Sequence, residues 1–92
     1  MESQTFTNVF DALANTPEEA ANLTARATLV RELSKLIVRE GWTQTEAARR
    51  CGVTQPRMND LLRGRISRFS LDALVNMAAA FGQRIHLEME VA

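Results

Sequence analysis

Residues 43 to 64 read TQTEAARRCGVTQPRMNDLLRG, and the spacing within this stretch decides the fold. Thr43 stands before a helix-forming run, and Glu46 three residues later completes a capping-box spacing, so a first short helix has a defined start. It ends near Cys51, because Gly52 is the residue type that takes a positive φ without a Cβ penalty. Val53 then returns an apolar side chain to that helix. Thr54 is a good N-cap, and Pro56 falls in the first turn of the next helix, where a missing N–H costs nothing. Ala47 or Ala48, Val53, Met58, Leu61 and Leu62 supply the apolar positions, with a small residue where two helices cross closely. Two short helices joined by a tight glycine turn make a helix-turn-helix pattern.

Upstream, Thr16-Pro17-Glu18-Glu19 offers an N-cap, a proline at the first helical position and an acid at the third. A helical pattern runs from there to Glu40, with a break allowed at Asn22 to Thr24, and Gly41 ends it. Leu29, Leu33, Leu36 and Ile37 share one face at spacings of three and four, with Val30 beside them, while Arg31, Lys35 and Arg39 face elsewhere. This helix is the expected packing partner of the two short ones, with Trp42 covering the junction. Earlier still, Asn8 to Ala14 suits a short helix of no specific chemistry.

Downstream of Gly64 a basic loop, RISRFS, leads to Ser70. That serine caps a helix with Leu71, Leu74, Val75, Ala78 and Phe81 on its apolar face, and Gly82 stops it. The last segment alternates: Ile85, Leu87, Met89 and Val91 lie on one side, and Arg84, His86, Glu88 and Glu90 on the other, the period of a half-buried strand. A lone strand needs a partner for its backbone groups. Gln4 to Thr7 is the only other candidate strand. Residues 84 to 91 are therefore expected to pair with the same strand of a second subunit, making a two-fold dimer.

A chain of 92 residues accommodates one small domain with a single modest core. With 46% hydrophobic and 24% charged residues it has the composition of an ordinary soluble globular protein. No apolar run approaches the ~18 residues of a membrane span, and the first residues are polar and acidic, unlike a signal peptide. The expected location is the cytoplasm. The single cysteine excludes an internal disulfide, and with one histidine no Cys/His metal cluster is expected. No cofactor is implied.

The formal net charge is zero, but its distribution is uneven. Residues 1 to 23 carry Glu2, Asp11, Glu18 and Glu19 and no basic residue, a balance of −4. Residues 24 to 70 carry ten basic residues against Glu32, Glu40, Glu46 and Asp60, a balance of +6, and residues 71 to 92 fall back to −2. The basic part coincides with the helix-turn-helix, which points to nucleic acid. Three segments follow: an acidic, partly helical stretch (1–23), a helix-turn-helix domain (24–82) and a C-terminal strand (83–92). Enzymatic chemistry has little support. His86 has no nucleophile or second histidine near it in sequence, Glu88 and Glu90 sit on an open edge, and Cys51 occupies a helix-junction position that calls for a small apolar residue.

The run TQTEAARRCGVTQPRMNDLLRG, followed by FSLDALVNMAAAFGQRI and preceded by NVFDALANTPEEA, resembles the Cro/CI-type (XRE) helix-turn-helix proteins, and within them the HigA-like antitoxins. The resemblance spans nearly the whole chain. It implies a mainly α, Cro/CI-like helical bundle with a C-terminal β-strand, a dimer on double-stranded DNA carrying an inverted-repeat operator, and a RelE- or HigB-like toxin as a further partner. The recognition helix would run from about Gln55 to Arg63. Gln55, Arg57 and Asn59 would read base edges, Pro56 would offer apolar contact, and Asp60 lies one turn on. Thr43, Gln44, Thr54, Arg63, Arg65 and Arg68 would hold phosphates, while Ile85, Leu87, Met89 and Val91 would form the dimer contact. The function implied is a sequence-specific DNA-binding regulator, an autorepressing antitoxin. The alternatives are a stand-alone or phage-type repressor and a toxin-binding module in which DNA is secondary.

Overall fold

The spacing of caps and apolar residues translates directly into four α-helices among the described residues, and the basic loop holds one 3-10 turn. The structure, a computed structural model, describes residues 15 to 91; the short helix expected at Asn8 to Ala14 and the candidate strand at Gln4 to Thr7 lie outside them. Helix α1 is Pro17–Glu40, α2 is Gln44–Cys51, α3 is Gln55–Leu62, the 3-10 turn is Ile66–Arg68 and α4 is Leu71–Ala80. Asn22 to Thr24 do not interrupt α1. Their weaker helix propensity costs only tenths of a kcal/mol per residue, too little to open a helix continued on both sides.

Each helix begins on a hydroxyl that accepts an otherwise unpaired backbone N–H. The acceptors are Thr16 for Glu19, Thr43 for Glu46, Thr54 for Arg57 and Ser70 for Ala73. Gly41 and Gly52, both at φ +72°, end α1 and α2 in the left-handed conformation that other residues adopt at a cost. The chain can therefore reverse within three residues between α2 and α3.

Val30, Leu33, Leu36 and Ile37 form the buried stripe of α1, and all four belong to its second half. They meet Ala47 and Ala48 of α2, Met58 and Leu61 of α3, and Leu74, Met77 and Ala78 of α4 in one core completed by Phe69 and Phe81. The alanines sit where α2 crosses its neighbours, and Ala47 is fully buried. Trp42 stacks on Phe81 with ring centroids 5.2 Å apart, closing the end of the core. No polar or charged residue among those described is buried.

The expected C-terminal strand is absent. Residues 83 to 91 form no regular element, and the described chain is all-helical. Alternation fixes where side chains point, whereas a strand also needs a second row of N–H and C=O groups, and no described segment supplies one. Ile85 alone packs against the core. Leu87, Met89 and Val91 are 84%, 99% and 99% exposed, so this end of the chain lacks the buried face that its pattern announced.

Candidate nucleic-acid interface

The two short helices present their N-termini side by side. Gln44, at the start of α2, donates from Nε2 to the backbone carbonyl of Gln55 at the start of α3 across 3.2 Å. That bond fixes the relative position of two helix starts whose unpaired N–H groups and dipoles favour an anion between them. Thr43 and Thr54 use their oxygens as caps and keep their hydroxyl hydrogens for donation. All three residues were expected at phosphates, and the fold brings them together at one edge.

Along α3 the side chains divide cleanly. Met58 and Leu61 are fully buried, while Gln55 and Pro56 are exposed and Arg57, Asn59 and Asp60 are partly exposed. Gln55 and Pro56 stand free at the leading end. The Arg57 guanidinium lies 4.4 Å over the Phe69 ring and donates to the carbonyl of Arg68 at 3.0 Å. It is thus held along the outer face of α3, the stacking contributing about 0.5–1 kcal/mol.

Asp60 behaves differently from its neighbours. Its Oδ1 accepts from Arg65 at 3.0 Å and from Arg68 at 3.1 Å, and its Oδ2 accepts from Arg68 at 3.2 Å. Partial desolvation works to raise this carboxyl, but the hydrogen bonds and charges of Arg68 and Arg65 outweigh it and hold the group below its ordinary value of 3.8. Asp60, expected beside the bases, is therefore occupied within the chain. Arg65 and Arg68, expected at phosphates, share it, whereas the exposed Arg63 side chain has no partner among the described residues.

A second ionic group lies on α2. Glu46 accepts from Arg49, and Arg50 approaches it within 2.7 Å. The Arg49 hydrogen bond, reinforced by the charge of both arginines, holds the Glu46 carboxyl below its usual range. Arg50 also lies 4.4 Å over Trp42. Burial pushes the Cys51 thiol up, which disfavours the thiolate form.

Phe69 and Arg26 are the contributors that the sequence reading passed over. Phe69 lies within the basic loop, yet it is 1% exposed and is the platform beneath Arg57. Its signal was present: an apolar residue immediately before the Ser70 cap, with Leu74 at the fourth helical position, is the spacing of a hydrophobic staple. Arg26 donates to the Phe69 carbonyl at 3.1 Å and the Ile66 carbonyl at 3.4 Å, tying α1 to the 3-10 turn. No spacing rule links residues forty apart.

The arrangement offers an outward polar helix, paired helix starts and a basic turn. No helix among the described residues is long and apolar enough to cross a membrane. None of the curated proteins matches the chain. Residues 12 to 90 match a family model described as a helix-turn-helix domain. With that extent covered and the capped helix pair in place, the chain belongs to this Cro/CI- and XRE-like family of helix-turn-helix domains, the fold of a DNA-binding regulator.

Proposed function

We propose that this protein is a sequence-specific transcription regulator that works in the cytoplasm as a homodimer on an inverted-repeat operator, and that it is the autorepressing antitoxin of a HigA-like pair. The observation that carries the DNA reading is the division of α3: Met58 and Leu61 anchor it in the core while Gln55, Pro56, Arg57 and Asn59 remain on its outer side. Thr43, Gln44, Thr54, Arg63, Arg65 and Arg68 set the register on the backbone, and the α3 residues discriminate bases in the major groove. The Gln55 amide pairs with adenine N6 and N7, a contact worth about 1–3 kcal/mol of discrimination. Two subunits place their recognition helices roughly 34 Å apart, one turn of DNA.

The antitoxin role rests on the resemblance and on the charge of residues 1 to 23, which suits the basic surface of a ribonuclease toxin. Glu18 and Glu19 at the start of α1 are exposed and available to such a partner.

Selection from random duplex DNA, followed by competition among single-base operator variants, tests the DNA assignment. Gln55→Ala is expected to compress the ranking of those variants, whereas Arg65→Ala lowers affinity for all of them alike and flattens the salt dependence. An unchanged ranking with Gln55→Ala would show that this side chain reads no base.

A further inference from the structure

The contacts of Asp60 assign it work other than base reading. The carboxylate lies in the last turn of α3, immediately before the chain leaves the helix at Gly64. The backbone N–H of Arg65 donates to the Asp60 carbonyl at 3.0 Å, so the chain folds back over the helix end. The N–H of Arg68 then donates to the Arg65 carbonyl at 3.0 Å, closing the 3-10 turn. Both guanidiniums thereby reach one carboxylate, whose side chain keeps only 15% of its exposure while Arg65 and Arg68 keep 39% and 57%. A guanidinium has five N–H donors, and each arginine commits a single nitrogen to Asp60. The remaining N–H groups make no other hydrogen bond among the described residues, on a cluster whose formal charge is +1.

We propose that Asp60 is a positioning residue for the DNA backbone: it clamps Arg65 and Arg68 together, so that their free N–H edges are held in place to receive phosphate oxygens. The proposal rests on the DNA-binding reading above and deepens it. A side chain already ordered loses less freedom when it binds, and the planar guanidinium suits both the carboxylate behind it and a phosphate in front. As a base reader, Asp60 would have to turn an oxygen to a cytosine amino group, whereas its carboxylate is held facing Arg65 and Arg68 with only 15% of its side chain exposed.

Asp60→Asn decides between the roles, because they predict opposite signs. Removing an acid near DNA strengthens binding if Asp60 is only a neighbouring charge, and alters sequence preference alone if it reads a base. Positioning predicts weaker binding despite the added positive charge. The probe is a labelled duplex of mixed sequence, titrated by fluorescence anisotropy across a salt series. Asp60→Asn is expected to bind about tenfold more weakly and with a log–log salt slope shallower by about one to two, the loss of one or two phosphate contacts. In an Arg65→Gln/Arg68→Gln background the same substitution is expected to cause no loss, and to strengthen binding slightly through the removed negative charge, an outcome that a general weakening of the fold would not give. Binding by Asp60→Asn as tight as wild type or tighter, or an equal loss in the double-glutamine background, overturns the proposal alone. A wild-type chain that binds no duplex at low salt overturns the DNA reading and the proposal with it. Arginine side-chain NMR of the free wild-type chain supplies a readout that needs no variant. Slow guanidinium rotation is expected at Arg65 and Arg68 against fast rotation at Arg63, and equally fast rotation at all three would refute the clamp.

Discussion

Phe69 couples the core to the outer face of α3, because one side of its environment is apolar and the other carries Arg57. Replacing it with alanine removes a buried ring from a packed interior, a change that typically costs about 3–5 kcal/mol. Urea denaturation of Phe69→Ala is expected to show a loss of that size, and a loss under about 1 kcal/mol would mean that the ring packs more loosely than its burial indicates. At this scale, sequence reading succeeded where a residue's surroundings are local. Thr43 and Thr54 cap α2 and α3 as their positions announce, because a cap and its N–H lie three residues apart. It fell short where the partner arrives through a turn of no fixed spacing. Asp60 occupies a position on α3 that suits a base reader, and only the return of the chain after Gly64 brings Arg65 and Arg68 onto it.

Three of the helices start in the same way. Trp42, Val53 and Phe69 each precede a hydroxyl cap, and Ala47, Met58 and Leu74 stand at the fourth helical position that follows, so each staple spacing sets the angle at which the chain enters its helix. This repetition makes the helical elements legible from their starts alone, as α2 and α3 were from Thr43, Glu46, Thr54 and Pro56. Gly52 carries the complementary burden at a helix end. A Cβ added there would meet no atom within 4 Å, so the cost of Gly52→Ala is backbone strain alone, about 1–2 kcal/mol for a left-handed residue. The urea midpoint is expected to fall accordingly with no change in m-value, and an unchanged midpoint would mean that the turn finds another conformation. The C-terminal segment is the counterexample. Its alternation from Ile85 to Val91 resembles a strand as closely as Thr43 to Gly64 resembles two helices, but helices pair their own backbone and strands do not.

For the whole molecule, the charge pattern places a basic middle between acidic ends, and the exposed Leu87, Met89 and Val91 extend from the same body. Three largely exposed apolar side chains at alternate positions favour association. Sedimentation at micromolar concentration is expected to give the mass of two chains for the full protein and of one for a chain ending at Arg84. The thermal midpoint of the full chain should rise with protein concentration, as linkage to dimerisation requires. A monomer in both cases would remove the dimer. Helix α1 has a different consequence for the molecule. Its 24 residues span about 36 Å, yet every fully buried residue it contributes lies at Val30 or beyond. Unwinding the nine residues from Pro17 to Ala25 therefore sacrifices none of the fully buried core and leaves Arg26 on the 3-10 turn. Those residues measure about 14 Å as helix and about 30 Å when extended. The stretch that bears Glu18 and Glu19 can thus more than double its reach while the helix-turn-helix stays folded.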